Sequence, residues 1–350
     1  MFDKTAILGW DIGGVNLKAA RLCSTPGTSS LQSLCHPFEV QHSLENLGSM
    51  LTSLARQLAA GPSDKHAVTM TAELSQAFRT KRDGISFVLD AFEAGFPSRS
   101  LHVYTVEGKF VSPQEARLRP LSVAASNWAA TAQWAAQRFP TAILLDVGST
   151  TTDVIPIVGG EVVTEGHTDP HRLQSGELVY TGALRTPVEA IVRHVPLWDG
   201  TAGVSTEGFA LIGDVHLWLG QLQADDYTCR TPDGRPASRQ YASERLARVV
   251  CADREMLRDE DIDLIAGAIA RAQIGSIVSA LERVRQRQPT ISTAVVTGMG
   301  AFIAAEAARA AGLSVVSLAE ELSVASQTAP AAAVASLLHR WLAREPCPSW

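Results

Sequence analysis

The first stretch that could do chemistry is ILGWDIGGVNLKAARL (7–22), in which an acid and two glycines lie between apolar runs. Asp11 ends the first run, and the pair Gly13 and Gly14 is a hairpin signal. Strand alternation places Asn16 and Lys18 on one face of the returning strand. A lysine there can reach a phosphate group as a point charge. Taken alone, the pattern is more typical of an ordinary glycine hairpin.

A second hairpin of this kind starts about 135 residues later, in LLDVGSTTTDVIPI (144–157). Asp146 ends an apolar strand, Gly148 allows close backbone approach, and Asp153 follows where the chain enters the next strand. Backbone N–H groups of such a turn form an anion-binding nest. Three hydroxyl side chains add donors for phosphate oxygens: Ser149, Thr150 and Thr151.

The repetition of the hairpin favours a phosphate clamp with two jaws, because two acid–glycine hairpins seldom recur by chance. An acid at a strand end can hold Mg²⁺ through water, so Asp11 and Asp146 predict a magnesium site. A third piece, VVTGMGAF (295–302), leads a strand through Gly298 and Gly300 into a helix, as at nucleotide and phosphate sites. A simple strand-to-helix turn has the same pattern.

Candidate groups for proton transfer and substrate binding lie outside the hairpins. Glu73, in MTAEL at a strand end, is the best candidate for a general base, followed by Asp214 and His216 in GDVH. Glu73 has an equal alternative as an acid at a helix N-terminus, and such a histidine more often packs or lies at the surface. Arg185, in GALRTP, matches a carboxylate with its planar fork, although a structural salt bridge explains it as well.

The apolar patterns predict an α/β protein with mixed sheets, because strands followed by helices occur in both halves of the chain. We expect an N-terminal domain over 1–125 and a C-terminal domain over 126–328. The C-terminal helix, 329–345, is expected to pack back on the first domain. An irregular segment at about 166–240, rich in glycine and proline, predicts a substrate-binding insertion.

Composition excludes several classes of partner and site. The 350 residues are 46% hydrophobic with a formal net charge of -6, which argues against a nucleic-acid binder. The five cysteines are scattered without a ligand cluster, so we expect reduced thiols in a cytoplasmic protein and no zinc. No signal peptide opens the chain, and no stretch reaches the ~18 apolar residues of a membrane span.

The two hairpins and the GMG turn, in this order, resemble the actin, sugar kinase and Hsp70 ATPase superfamily over most of the chain. The resemblance implies two related domains with five-stranded mixed sheets of the ribonuclease H-like type. It also implies a cleft between the domains, lined by two phosphate loops and an adenosine loop.

A narrower resemblance depends on further motifs: TMTAELSQAF (69–78), SNW (126–128), SGELVYTGALRTPV (175–188) and GDVHLWLG (213–220). With the hairpins and GMGAF, they resemble hydantoinase/oxoprolinase-related proteins linked to tetrahydromethanopterin C1 transfer and methanofuran biosynthesis. Two features depart from the pattern. Val15 and Leu17 replace small or hydroxyl residues of kinase first loops, and the chain is shorter than full hydantoinase subunits.

The resemblance implies a transferase that joins an aminomethylfuran-methyl diphosphate to the phenol of a glutamyl-tyramine or tyrosine-type acceptor and releases diphosphate. Mg²⁺ is the expected cofactor, whereas ATP binding and a homodimer stay open. Two alternatives remain: an ATP-dependent kinase or amidohydrolase of the superfamily, and an actin-like nucleotide switch. Tight ATP binding with turnover favours the first alternative, and ATP binding with filament formation favours the second.

Overall fold

A computed structural model describes residues 6–25, 28–97, 100–322 and 326–344. The strands are β1 (Ile7–Ile12), β2 (Asn16–Thr25), β3 (Thr28–Pro37), β4 (Lys65–Met70), β5 (Leu101–Tyr104), β6 (Phe110–Val111), β7 (Ala142–Val147), β8 (Thr152–Val158), β9 (Glu161–Val162), β10 (Leu178–Val179), β11 (His194–Leu197), β12 (Gly200–Gly203), β13 (Thr293–Thr297) and β14 (Ser314–Ser317). The helices are α1 (Leu47–Gln57), α2 (Lys81–Gly95), α3 (Pro113–Leu118), α4 (Asn127–Ala136), α5 (Asp169–Ser175), α6 (Val188–Ile191), α7 (Ile212–Trp218), α8 (Arg239–Arg248), α9 (Asp259–Arg287), α10 (Ala301–Ala310), α11 (Leu318–Leu322) and α12 (Ala329–Arg344).

The first sheet is mixed, with the strand order β3-β2-β1-β4-β5-β6. β4 runs parallel to β1 and to β5, whereas β2, β3 and β6 join antiparallel. Strand β1 is buried on both faces. Leu8, Trp10 and Ile12 belong to one core cluster with residues of α1 and α2, while α12 packs against β1 and β2 from the other side. This explains why an apolar run without alternation is nevertheless a strand.

The second sheet has the order β10-β8-β7-β13-β14, with β9 paired to β8. The predicted α/β class with mixed sheets is confirmed. Each of these two sheets, however, has six strands among the described residues, where five were expected. The difference lies in β6 and β10, which have two residues each, because two residues are too few to show a period-2 pattern.

By its internal contacts the chain divides into two compact units. Unit 1 comprises Met1–Leu144, Ile155–Arg172 and Ser317–Trp350, and unit 2 comprises Leu145–Val154 and Leu173–Val316. This division differs from the predicted boundary at 125/126, because α4 packs against α12 and so belongs with the first sheet. The C-terminal helix α12 lies against β1 and β2 within unit 1.

The segment expected to be irregular, at about 166–240, contains α5, α6, α7, β10 and the hairpin β11–β12. These elements have two to seven residues each, so they leave no periodic signal in the sequence. Helix α9, 29 residues long, is apolar and long enough by composition alone to cross a membrane. It packs against α7, α8 and β11 as a core helix does.

Candidate functional site

The first hairpin, between β1 and β2, carries a buried ion pair. Asp11 faces Lys18 in the β1–β2 register, and Lys18 Nζ lies 2.9 Å from Asp11 Oδ2. The Asp11 side chain is 2% exposed, and its Oδ1 is buried without a hydrogen-bond partner among the described residues. The Oδ1 of the neighbouring Asn16 is in the same condition. Two polar oxygens are therefore available to a ligand or a hydrated ion at this turn.

A later segment of the chain fixes the backbone of the first turn. Gly13 N donates to Asn16 O at 3.0 Å and closes the turn, while Val40 N donates to Gly14 O at 3.0 Å and Phe38 N to Val15 O at 2.9 Å. In a trans peptide the C=O of one residue and the N–H of the next point in opposite directions. Because 38–40 holds the carbonyl of Gly14, the N–H of the following residue is turned away from that segment.

The second hairpin, between β7 and β8, repeats this arrangement in unit 2. Gly148 N donates to Thr151 O at 2.9 Å, which is the same closure. Ala183 N donates to Gly148 O at 2.9 Å, and Arg185 N donates to Ser149 O at 3.0 Å. The amides of Ser149 and Thr150 are thereby turned away from 183–185, and neither donates to another described backbone group. Amides that face outward in this way are what an anion-binding nest requires, and the nest expected from the sequence stays a prediction.

Gly182 lets the chain pass directly over this second turn. A Cβ at this position would lie 2.5 Å from Thr150 N and 2.7 Å from Gly148 O, closer than real side chains come to backbone. Thr152 Oγ1 also donates to Thr181 O at 2.7 Å. The segment after β10 therefore supports the turn, and it belongs to the SGELVYTGALRTPV motif.

A buried polar network holds the supporting segment from the side of α9. Gln273 Nε2 donates to Gly182 O at 2.8 Å and to Thr181 Oγ1 at 3.0 Å, and its Oε1 lies 2.8 Å from His216 Nε2. Since the Gln273 oxygen must accept, His216 carries a proton on Nε2. Burial lowers the pKa of His216, whereas its hydrogen bonds with Gln221 and Gln273 raise it by smaller amounts. The histidine considered as a base from sequence is thus part of the support for the turn.

The GMG turn lies against Asp146 at the end of β7. Gly298 has φ +90°, and a Cβ there would lie 2.3 Å from Asp146 Oδ1. Gly300 N donates to Val147 O at 2.8 Å, and α10 begins with the next residue. Asp146 and Asp153 are 7% and 8% exposed. Apart from Asp214, the predicted residues of unit 2 are therefore collected around one turn, with the Arg185 side chain exposed beside it.

Asp214 lies elsewhere in unit 2 and is fully buried. Its Oδ1 lies 2.8 Å from Arg245 Nε and 2.7 Å from Arg245 Nη2, and Leu211 N donates to its Oδ2 at 2.9 Å. Both oxygens are occupied by the start of α7 and by α8. The place that the structure gives Asp214 is that of a structural ion pair, in contrast to the general-base role considered for it from the sequence.

Glu73 lies in unit 1, in a single 3₁₀ turn (Ala72–Leu74) shortly after β4. It is 1% exposed, and neither carboxyl oxygen has a hydrogen-bond partner in the part of the chain that the structure describes. Lys81 Nζ lies 3.5 Å from Oε1, beyond the usual length of a charge-assisted hydrogen bond. Burial raises the pKa of Glu73 to about 7, while Lys81 lowers it by a smaller amount.

This environment suits a proton acceptor better than a helix-terminal acid. A carboxyl group with a pKa near neutrality exchanges protons at ordinary pH, which is the property of a general base. Glu73 was recognisable from the sequence. Lys81 and its second partner Asp169, at 2.8 Å, were not, because they are 88 residues apart in the chain and neither belongs to a quoted motif.

The described side chains bear on the expected magnesium site in two ways. Among described residues, no three His, Cys, Asp or Glu side chains form a group that could hold a metal directly. The orphaned Oδ1 of Asp11 fits a contact to a hydrated ion, the form in which Mg²⁺ commonly binds. The magnesium-binding role expected for Asp11 and for Asp146 stays a prediction.

Comparisons with known proteins agree with the family resemblance that the sequence motifs indicate. A family model described as Hydantoinase/oxoprolinase matches residues 64–341. A Methanocaldococcus jannaschii protein named (4-{4-[2-(gamma-L-glutamylamino)ethyl]phenoxymethyl}furan-2-yl)methanamine synthase is 34% identical over 346 residues, 97% of this chain and 99% of the relative. A Methanococcus vannielii protein of the same name is 36% identical over 165 residues, 47% of this chain and 73% of the relative.

A similar fold occurs in a solved structure, nucleotide-free acetone carboxylase, from a study of ATP-dependent acetone carboxylation. The TM-score is 0.58 at 12% sequence identity, covering 95% of this chain and 70% of that chain. At this identity the similarity shows the fold alone. The family model and the full-length relative show more than the fold. The chain belongs to the hydantoinase/oxoprolinase family.

Proposed function

We propose that this chain is a transferase of methanofuran-type carrier biosynthesis that forms an ether between a phenol and a furan-methyl carbon. The observation that carries the proposal is the 34% identity to the named synthase over 97% of the chain. The name of that relative describes a phenoxymethyl-furan, which is an ether of this kind. The donor is an aminomethylfuran-methyl diphosphate, and the acceptor is a glutamyl-tyramine or a tyrosine-type phenol.

The reaction places two demands on the protein. The bond between the furan-methyl carbon and the diphosphate oxygen breaks, and its electron pair leaves with diphosphate. The phenol oxygen forms the new bond to carbon and gives up its proton. The protein must therefore stabilise a polyanionic leaving group and accept one proton from a phenol whose ordinary pKa is ~10.

The residues of the two hairpins are suited to the first demand. The amides of Ser149 and Thr150 and the nearby hydroxyls can donate to diphosphate oxygens. In unit 1, the Lys18 ammonium and the Asp11 carboxylate form the charged part of the other turn. Mg²⁺, when bound, neutralises charge on the diphosphate. Glu73 is proposed to accept the phenol proton.

The direct test is a coupled assay with a furan-methyl diphosphate and a phenol acceptor, with and without ATP. Diphosphate release together with the ether product, identified by its mass, supports the proposal. ATP hydrolysis coupled to phosphoryl transfer or to amide hydrolysis would move the assignment to the kinase or amidohydrolase alternative. ATP-dependent filaments without small-molecule turnover would move it to an actin-like switch.

Variants of the hairpins are expected to weaken binding of the diphosphate substrate. We expect Lys18→Ala and Asp146→Asn each to raise its Kd by about 10- to 100-fold, because a contact to a charged group contributes about 1.5–3 kcal/mol. The Kd is measured calorimetrically with diphosphate and with the substrate. Unchanged affinity in both variants would contradict the clamp.

Arg21→Ala is the matched control for Lys18→Ala. Arg21 lies on the same strand, and its Nε pairs with the buried Asp64 Oδ2 at 3.0 Å. This variant removes a similar ion pair from the middle of β2, so a comparable loss of stability without a change in diphosphate affinity is expected. A loss of affinity in the control would attribute the Lys18 effect to general destabilisation.

The rate of ether formation is expected to rise with pH and to reach half its plateau near the Glu73 pKa of about 7. The base acts in its deprotonated form, so the rate decreases on the acid side of the profile, which forms an acid limb. The measurement is kcat/KM against pH for the wild type and for Glu73→Gln, whose residual rate should lack this limb. A limb of the same midpoint in both proteins would assign it to another group.

A further inference from the structure

Four charged side chains and one aromatic ring form a connected row in unit 1. Lys81 Nζ lies 3.5 Å from Glu73 Oε1 and 2.8 Å from Asp169 Oδ2. Arg172 Nη1 lies 3.8 Å from Asp169 Oδ1, and the Arg172 guanidinium lies 4.3 Å above the ring of Trp128. The ammonium of Lys81 thus lies between two carboxyl groups, and it is closer to the more exposed one.

The separations show that the ammonium is shared unequally. At 2.8 Å the contact to Asp169 has the length of a charge-assisted hydrogen bond, whereas 3.5 Å to Glu73 exceeds it. The Asp169 side chain is 18% exposed, and that of Glu73 is fully buried. A buried carboxylate attracts a cation more strongly than an exposed one, because the effective dielectric constant around it is lower. Asp169 holds it away.

Local structure keeps this division in place. Lys81 is the first residue of α2, whose start is fixed by a capping box in which Thr80 and Asp83 each accept from the other's amide. Asp169 is the first residue of α5. Three residues on, Arg172 is 1% exposed and lies over Trp128. The backbones of Lys81 and Asp169 are therefore both anchored at helix starts, and rotation of the Lys81 side chain decides how the ammonium is divided between the two carboxyl groups.

We propose that Asp169 is a positioning residue for Glu73: by holding the Lys81 ammonium at 2.8 Å, it leaves the buried Glu73 carboxyl without a full ion pair and so available to accept the substrate proton. This role rests on the proposed function, in which Glu73 is the base. The charged groups that act on Glu73 are Lys81 from α2 and Asp169 from α5, and the former lowers while the latter raises the Glu73 pKa.

Two isosteric or near-isosteric variants should shift the titration midpoint of Glu73 in opposite directions. In Asp169→Asn the ammonium loses its competing carboxylate and can pair with Glu73, so the Glu73 midpoint should fall by about one pH unit. In Lys81→Met the cation is gone, so the midpoint should rise by about one unit. The midpoint is followed by the ¹³C shift of labelled glutamate carboxyls, with the Glu73 signal assigned by its loss in Glu73→Gln.

The titration needs no substrate, so it bears on the positioning role even where ether formation is not observed. The proposal is supported if the two variants shift the Glu73 midpoint in opposite directions and the acid limb of the rate profile shifts with it. Unmoved midpoints, or shifts in the same direction, overturn it.

Asp90→Asn is the control, since Asp90 lies on the same helix and pairs with Arg117 away from this row. It should leave the Glu73 midpoint unchanged. Asp169→Glu, which keeps the carboxylate, should restore most of the wild-type midpoint. Failure of that rescue together with a shifted control would assign the effect to altered packing and overturn the positioning role.

Discussion

Replacing Glu73 by glutamine is expected to lower kcat for ether formation by about 10²- to 10⁴-fold, the range that general base catalysis contributes. Glutamine has nearly the shape of glutamate, so the buried site keeps its packing, but no group remains to accept the phenol proton. The measurement is the initial rate of ether formation above the wild-type acid limb. A decrease below about threefold would exclude Glu73 as the base.

The same variant has an independent signature in stability. The folded-state pKa of Glu73, about 7, lies above its ordinary value of 4.5. Protonated Glu73 therefore stabilises the fold fully below pH 4.5, and this contribution is lost as pH rises through 7. Glu73→Gln should lack that loss, as denaturant unfolding at both ends of the range can show. Glu93→Gln is the control, since Glu93 is a partly exposed partner of Arg117.

Replacing Gly182 by alanine is expected to lower kcat/KM by about 10²-fold, the effect of displacing a binding group by about 1 Å. The added Cβ would lie 2.5 Å from Thr150 N and 2.6 Å from Ser149 C. Because these are backbone atoms of the turn, relief of the clash must move the nest. Overpacking should also lower the free energy of unfolding by about 1–3 kcal/mol.

Gly203→Ala is the matched control for this variant. Gly203 ends β12 in the same unit, and a Cβ there would meet nothing within 4 Å. It should leave both kcat/KM and stability close to the wild-type values. If Gly182→Ala retained diphosphate affinity while it lost stability, the nest would not be the diphosphate site.

Both hairpins were predictable because their signals are local. An acid, a glycine turn and a returning apolar strand lie within eight residues in each case, and turn chemistry depends on neighbours in sequence. The α/β class followed from patterns of the same short range. Strands of two residues, such as β6 and β10, and the short elements of 166–240 carried too little pattern to be recognised.

The sequence by itself determined which chemical groups are present and where the turns fall: Asp11, Lys18, Glu73, Asp146 and the glycines of the two hairpins. Only the tertiary structure decided what surrounds them. Burial by neighbouring elements raises the Glu73 pKa, and α5 brings Asp169 to Lys81 across 88 residues. Asp214 is a further example, because its ion pair with Arg245 depends on how α7 packs on α8. Desolvation and charge pairing depend on distance in space, which short-range patterns in a sequence do not contain.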